Sequence, residues 1–162
     1  MPEQFSGLVV VETDDLLGGG IGPKFEAAIE QLRKKYKFGK WKNLMKEQTE
    51  YGGRTLRQFT DFSFEISMTR YLKEKAESIQ IARGRMKEPK AKCNDGEIRQ
   101  LRGVIGKLQW ASRMGMPQGS GDASILAATL PHPAVQELSE ANAALRRLIE
   151  NDVPVLIKSI PL

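Results

Sequence analysis

Two adjacent carboxylates, Asp14 and Asp15, follow an apolar run of β-branched residues near the start of the chain. The surrounding residues, 7–20, read GLVVVETDDLLGGG, which predicts a buried strand over 7–17 that turns at the glycines 18–20. Two anions at the end of a buried strand need compensation, and divalent cations prefer such oxygen ligands. Carboxylates that hold two metal ions perform phosphoryl transfer in polymerase-type enzymes. The alternative is ordinary turn chemistry, in which Asp side chains bond to the backbone and glycine accepts a positive φ.

The composition is mildly basic, with 25 Lys and Arg against 20 Asp and Glu and a net charge of +5. This balance permits a phosphate-bearing partner without requiring one. Much of the excess lies in residues 33–37 (RKKYK) and 83–92 (RGRMKEPKAK). The first run is interpreted as a solvated helix face that complements the helix dipole. The second run is the better candidate for nucleic-acid contact. Its basic residues are Arg83, Arg85, Lys87, Lys90 and Lys92.

Cysteine and histidine are nearly absent, which excludes several classes of site. The single Cys93 cannot form an intramolecular disulfide, and with the single His132 it supplies too few ligands for a zinc site. A lone reduced thiol is typical of an intracellular protein. No apolar run reaches the length of a membrane span, and the N-terminus lacks the layout of a signal peptide. We therefore expect an intracellular protein, with no membrane partner.

The first half of the chain is expected to combine strands with short helices. After Pro23, apolar residues at helical spacing predict a helix over about 24–37. Residues 48–58 and 62–68 are expected to form a hairpin, because the second arm alternates apolar and polar side chains. A short helix is expected over about 69–78.

The C-terminal third is expected to be helical. Residues 83–96 are charged and interrupted by Gly and Pro, which predicts a mobile linker. Helices are expected over about 97–113, 123–130 and 134–150, each with an apolar stripe. Residues 153–158 look like the start of a strand that finds no partner. The sequence thus predicts an α+β fold.

The two tryptophans, Trp41 and Trp110, are interpreted as core aromatics. The alternative is that they stack on the bases of a nucleic acid. Nothing in the sequence supports this alternative, so both are expected in the core.

Several short motifs occur in a fixed order along the chain. They are TDDLL (13–17), YGGRTLRQ (51–58), ISMTRYL (66–72), RGVIGKLQW (102–110) and a helix that follows PHP (131–148). In this order and spacing, the chain resembles the C-terminal half of the reverse transcriptase of copia-type retrotransposons. The first motif looks like the tail of that family's Tyr-x-Asp-Asp hairpin, and the second is similar to its Phe-Leu-Gly-x-x-Ile strand. The likeness covers nearly the whole chain.

The resemblance implies an architecture in three parts. Residues 1–82 would form a partial palm, made of a palm-type β-hairpin with its helix, a second hairpin and the start of the thumb. Residues 83–96 would be a basic linker. Residues 97–162 would form a helical thumb and connection region that ends at the start of a ribonuclease H-like domain.

The resemblance also implies an activity, RNA-directed DNA polymerisation, in which a primer 3′-hydroxyl attacks an α-phosphate between two Mg²⁺ ions. It assigns the metal and catalytic role to Asp14 and Asp15. It places Tyr51, Gly52 and Gly53 next to the primer end. The implied partners are an RNA or DNA primer–template and the N-terminal half of the polymerase, which is missing from the chain.

Two departures from the family pattern limit this expectation. Glu12 stands where the family has Tyr, and strand alternation predicts that it shares a face with Asp14 and repels substrate phosphates or leaves them unaffected. The palm aspartate from an earlier strand and the fingers are absent, so the chain alone is expected to be inactive and to bind Mg²⁺ weakly. The alternatives are a non-enzymatic nucleic-acid-binding module and a transposon remnant without function.

Overall fold

A computed structural model describes residues 5–151 and 153–159. Within these residues the chain forms five α-helices and six strands, which confirms the predicted α+β class. In chain order the elements are β1 (Gly7–Glu12), β2 (Asp15–Gly20), α1 (Pro23–Lys35), β3 (Thr49–Tyr51), β4 (Arg54–Gln58), β5 (Phe64–Ser67), α2 (Thr69–Lys75), α3 (Asp95–Met114), α4 (Ser120–Thr129), α5 (Val135–Glu150) and β6 (Val155–Ile157).

The first strand ends earlier than the sequence predicts. β1 and β2 form an antiparallel hairpin in which Glu12 lies opposite Asp15, so the turn consists of Thr13 and Asp14. φ is positive at Thr13 (56°) but not at Asp14, as in type II′ turns. The turn expected at 18–20 is therefore wrong. The hairpin reverses at Thr13 and Asp14 instead, although a positive φ at a β-branched residue costs about 1–3 kcal/mol.

The glycines of β2 allow α1 to lie close against the hairpin. A Cβ atom on Gly20 would stand 2.5 Å from the ring of Phe25, and one on Gly18 would stand 3.7 Å from Ile29. The hairpin is thus packed against the apolar stripe of α1. The large apolar side chains of β1 that remain exposed are Leu8, Val10 and Val11.

The expected strand over 48–58 is divided into β3 and β4. Gly52 and Gly53 both have positive φ, 55° and 74°, and form a two-residue turn with Tyr51 opposite Arg54. Positive φ at both central positions is the type I′ pattern that favours tight hairpins. β5 then pairs with β4 to continue the antiparallel sheet.

The strand expected at 153–158 is present as β6, but it has a partner. β6 pairs with β5, with Phe64 opposite Ile157, and completes a sheet of order β3-β4-β5-β6. The expectation of an unpaired strand is therefore wrong. Pairing with β5 could not be read from the sequence, because the two strands lie at opposite ends of the helical region.

The main hydrophobic core lies between α2 and the three C-terminal helices. α3, α4 and α5 contact one another, and α2 contacts both α3 and α5. The expected C-terminal helices are confirmed, with ends shifted by a few residues. Fully buried side chains of this core include Met68, Leu72, Leu101, Leu108, Leu138 and Leu145. The start of the region assigned to the thumb therefore shares one core with the helices that follow the basic linker.

Candidate functional site at the junction of two hairpins

The turn between β1 and β2 lies against the turn between β3 and β4. Nη2 of Arg54 donates to Oε2 of Glu12 at 2.8 Å. A Cβ atom on Gly52 would stand 2.5 Å and 2.7 Å from the two carboxylate oxygens of Glu12, so the carboxylate rests on the backbone of this turn. We call this region the hairpin junction. Its residues are Glu12, Asp14, Asp15, Tyr51, Gly52, Gly53 and Arg54.

The position of Glu12 differs from the expectation. The chain reverses at Thr13 and Asp14, so strand alternation does not extend from Glu12 to Asp14, and the expected shared face is wrong. The charge of Glu12 is compensated by Arg54, and the two side chains are 39% and 23% exposed. Glu12 therefore joins the two hairpins.

Tyr51 is the buried member of the hairpin junction. Its side chain is buried, and its hydroxyl has no hydrogen-bond partner among the described residues. Burial raises the pKa of Tyr51, and the negative charges of Glu12 and Asp15 raise it further, while Arg54 opposes them. The phenol of the second hairpin is thus influenced by two carboxylates of the first, Glu12 and Asp15.

Replacing Tyr51 with phenylalanine is expected to raise the free energy of unfolding by about 1 kcal/mol, because it removes a buried hydroxyl that lacks a partner. Urea unfolding followed by circular dichroism measures this change. Tyr36→Phe is the matched control, since Tyr36 is exposed and loses no buried polar group. A destabilised Tyr51→Phe protein would mean that the hydroxyl makes a stabilising hydrogen bond.

Trp110 of α3 covers the second glycine of the β3–β4 turn. A Cβ atom on Gly53 would lie 3.7 Å from Nε1 of Trp110. The Trp110 side chain is 40% exposed, so its interpretation as a core aromatic is wrong. The buried stripe of α3 includes Leu108 and Ala111, which leaves Trp110 on the adjacent, outer face of the helix. The hairpin junction is thus attached to the helical region through this side chain.

The three carboxylates of the hairpin junction are its candidate metal ligands. Asp14 and Asp15 are both exposed at the tip of the first hairpin, and the carboxylate of Glu12 is bound by Arg54. Over residues 5–151 and 153–159, no three His, Cys, Asp or Glu side chains come together as a metal site. A polymerase-type site for two ions needs carboxylates from separate strands. The carboxylates of the described residues do not fit such a site.

The basic run at 83–92 is attached to the helical region by Arg85. Its guanidinium donates to both carboxylate oxygens of Glu97, at 2.9 Å and 2.8 Å, and to the carbonyl of Lys92 at 2.9 Å. The hydrogen bond between them raises the pKa of Arg85 and lowers that of Glu97. Arg85 therefore stabilises the 83–92 segment through hydrogen bonds inside the protein. Its expected role as a nucleic-acid contact stays a prediction.

Backbone hydrogen bonds also hold this segment, so the expected mobile linker is wrong. The backbone amide of Val135, the first residue of α5, donates to the carbonyl of Ala91 at 3.0 Å. The amide of Cys93 donates to the carbonyl of Pro133, just before α5, at 2.9 Å. The physical reason is that the segment pairs with the start of α5 through the bridge between Lys92 and Ala134. Its exposed cations are Arg83, Lys87, Lys90 and Lys92.

Arg54 and Trp110 lie within the motifs at 51–58 and 102–110, but the sequence assigned neither of them a role at this site. Arg54 follows the Gly-Gly turn directly, so its position opposite Tyr51 could have been read from the turn type. Its partner Glu12 lies 42 residues earlier, and only tertiary structure brings them together. No sequence signal marks the contact between Trp110 and Gly53.

Comparison with known proteins leaves the family open, since no family model, curated protein or solved structure matches the chain. In the part of the chain that the structure describes, no helix is both long and apolar enough to cross a membrane.

Proposed function

We propose that the chain is the C-terminal palm and thumb portion of a copia-type reverse transcriptase, and that a separate polypeptide segment completes its active site. The supporting observation is the hairpin junction. The Asp-Asp turn and the Tyr51–Gly53 turn each resemble a motif of that family. The ion pair between Glu12 and Arg54, 2.8 Å long, holds these two turns together.

Each part of the hairpin junction has a role in this proposal. Asp14 and Asp15 would be the acidic side chains nearest the reacting primer end. Gly52 and Gly53 lack side chains, which allows Glu12 and Trp110 to lie close against this turn and hold it in position. Glu12 would fix the distance between the two turns. The carboxylate that the donor set lacks would come from the completing segment.

The four exposed cations of the 83–92 segment would contact backbone phosphates. Such contacts release counterions, so affinity falls as salt rises, with a slope near −0.9 per contact on duplex DNA. Four contacts would lower the affinity by about 100-fold between 50 and 200 mM salt.

Primer extension tests the proposal. We expect no extension by the chain alone with Mg²⁺, and extension when the N-terminal half of a copia-type reverse transcriptase is joined to it. Replacing both Asp14 and Asp15 with asparagine should then lower the rate by at least about 100-fold, because metal-assisted charge stabilisation contributes several kcal/mol. Glu26→Gln, an exposed carboxylate of α1, is the control. Failure of every joined protein to extend, despite normal folding and primer–template binding, would contradict the proposal.

A second candidate function is a nucleic-acid-binding module without catalysis. It is favoured by the incomplete set of carboxylates at the hairpin junction. This function predicts that Asp14→Asn leaves the affinity for a primer–template unchanged and that the joined protein stays inactive. Fluorescence anisotropy with a labelled primer–template measures the first outcome, and primer extension measures the second.

A further inference from the structure

Three aromatic rings contact one another just after α1. The ring centroids of Tyr36 and Phe38 are 5.9 Å apart, and those of Phe38 and Trp41 are 5.2 Å apart in an edge-to-face arrangement. Tyr36 is 49% exposed and Trp41 is 39% exposed, whereas Phe38 is half-buried. The two outer rings are therefore open to solvent, and Trp41 is not the core residue that the sequence analysis expects.

Basic side chains surround these rings. Residues 33–42 read RKKYKFGKWK, with six basic residues and no acidic one. The guanidinium of Arg33 lies 4.5 Å from the ring of Trp41, and the ammonium of Lys35 lies 5.5 Å from the ring of Tyr36. We call residues 33–42 the basic aromatic segment.

Only part of this charge is compensated. Glu30 pairs with Arg33 at 2.9 Å, and Glu47 pairs with Lys42 at 3.7 Å. Within the described residues, no ion pair forms at the remaining lysines of the basic aromatic segment. These are Lys34, Lys35, Lys37 and Lys40.

The helix dipole does not account for the whole segment. α1 ends at Lys35, and the influence of its dipole is confined to the last turn. Lys37, Lys40 and Lys42 follow that end. Burial does not explain the aromatic side chains either, because the two outer rings keep a large exposed fraction.

We propose that the basic aromatic segment binds single-stranded nucleic acid. Exposed aromatic rings stack on unpaired bases, and lysines beside them neutralise the backbone phosphates. Arg33, which lies over the ring of Trp41, places a guanidinium beside the stacking surface, where it can also contact a base or a phosphate. A duplex fits less well, because its base faces are already stacked. The basic aromatic segment shares no residue with the hairpin junction or with the 83–92 segment, so this proposal does not rest on a polymerase origin.

An anionic membrane surface is the competing ligand, and the sequence disfavours it. Helices that lie on membranes segregate apolar residues on one face and basic residues on the other. Here Tyr36 is flanked by Lys35 and Lys37, and Trp41 by Lys40 and Lys42. Insertion of either ring into lipid would bring charged neighbours with it.

Trp41 itself supplies the signal for a test. The protein has two tryptophans, so Trp110→Phe leaves Trp41 as the single indole. In that background, a dT oligonucleotide of about twelve nucleotides, within the known range of site sizes, should quench the fluorescence. We expect Trp41→Ala and Tyr36→Ala each to weaken binding by about tenfold, measured by anisotropy with a labelled oligonucleotide. Four lysine contacts should lower the affinity by about fifty-fold between 50 and 200 mM salt.

Matched variants separate this surface from the others. Trp41→Phe should retain most of the affinity, and Lys37→Ala should reduce it, whereas Lys75→Ala, an exposed lysine on α2, should not. In a background with Lys87 and Lys90 replaced by alanine, Trp41→Ala should still weaken dT binding by about tenfold, which separates the two surfaces. Unchanged binding after Trp41→Ala and Tyr36→Ala would overturn the proposal. The proposal would also be overturned if the fluorescence of Trp41 did not change with the oligonucleotide but shifted to shorter wavelengths with phosphatidylserine vesicles.

Discussion

Replacing Glu97 with alanine is expected to lower the free energy of unfolding by about 3 kcal/mol. The Glu97 side chain is 8% exposed and accepts hydrogen bonds from both Nε and Nη2 of Arg85. It also accepts the amide N–H of Asn94 at 2.8 Å and so completes the cap of α3. The substitution leaves a partly buried guanidinium and a helix amide without partners. Urea unfolding followed by circular dichroism measures the loss.

The same residue makes stability depend on pH. The hydrogen bond from Arg85 holds the pKa of Glu97 below its unfolded value of about 4.5. A carboxyl whose pKa is lowered by folding stabilises the protein above the unfolded pKa, and this contribution disappears as pH falls through the folded pKa. The difference in stability between the natural protein and Glu97→Gln should therefore be largest above pH 5 and should shrink in more acidic solution.

Glu88→Ala is the matched control, because Glu88 is an exposed carboxylate of the same segment. It should change the free energy of unfolding by less than about 0.5 kcal/mol. Arg85→Lys should be destabilising as well, since an ammonium cannot make the two parallel hydrogen bonds of a guanidinium. If Glu97→Ala were as mild as Glu88→Ala, the ion pair would not hold the basic segment in place.

Replacing Leu72 with alanine is expected to cost about 3 kcal/mol, because its side chain is fully buried between α2 and the C-terminal helices. A division into independent units at 1–82 and 97–162 would confine the damage to the first unit. The shared core predicts instead that α3 and α5 lose as much stability as α2 does. Hydrogen exchange of their amides measures the effect element by element.

Lys73→Ala provides the control for this substitution, since Lys73 is the exposed neighbour of Leu72 on the same helix. It should leave the exchange of α3 and α5 unchanged. Unchanged exchange in Leu72→Ala would show that the helices after the basic segment are stable without α2.

The elements that the sequence predicted well are those with a strong local pattern. The apolar stripe over 134–150 gave a helix that the structure has at Val135–Glu150. The first turn was misplaced because glycine is the usual carrier of positive φ, whereas the hairpin places Thr13 there. Trp41 is expected in the core as a large aromatic residue, and the structure leaves it at the surface. A local sequence pattern therefore predicts the positions of helices and strands better than it predicts which side chains become buried.

The candidate site was predicted in its parts and not in its assembly. Motif order selected the Asp-Asp pair and residues 51–53, and the structure brings these two turns together. The ion pair that joins them, between Glu12 and Arg54, depends on how two separate hairpins meet. From the sequence alone, Glu12 is only a departure from a family pattern, because its partner Arg54 is distant along the chain.

The neighbouring strands β5 and β6 are separated in the chain by every helix from α2 to α5. Their pairing therefore closes a long loop, and the entropy lost on closure depends only weakly on loop length once the ends are near each other. The folded helices bring those ends together, so the last strand adds to a sheet edge that is already positioned for it. We therefore expect β6 to pair with β5 after the helices have packed, and to separate from the sheet first when the helical core is loosened.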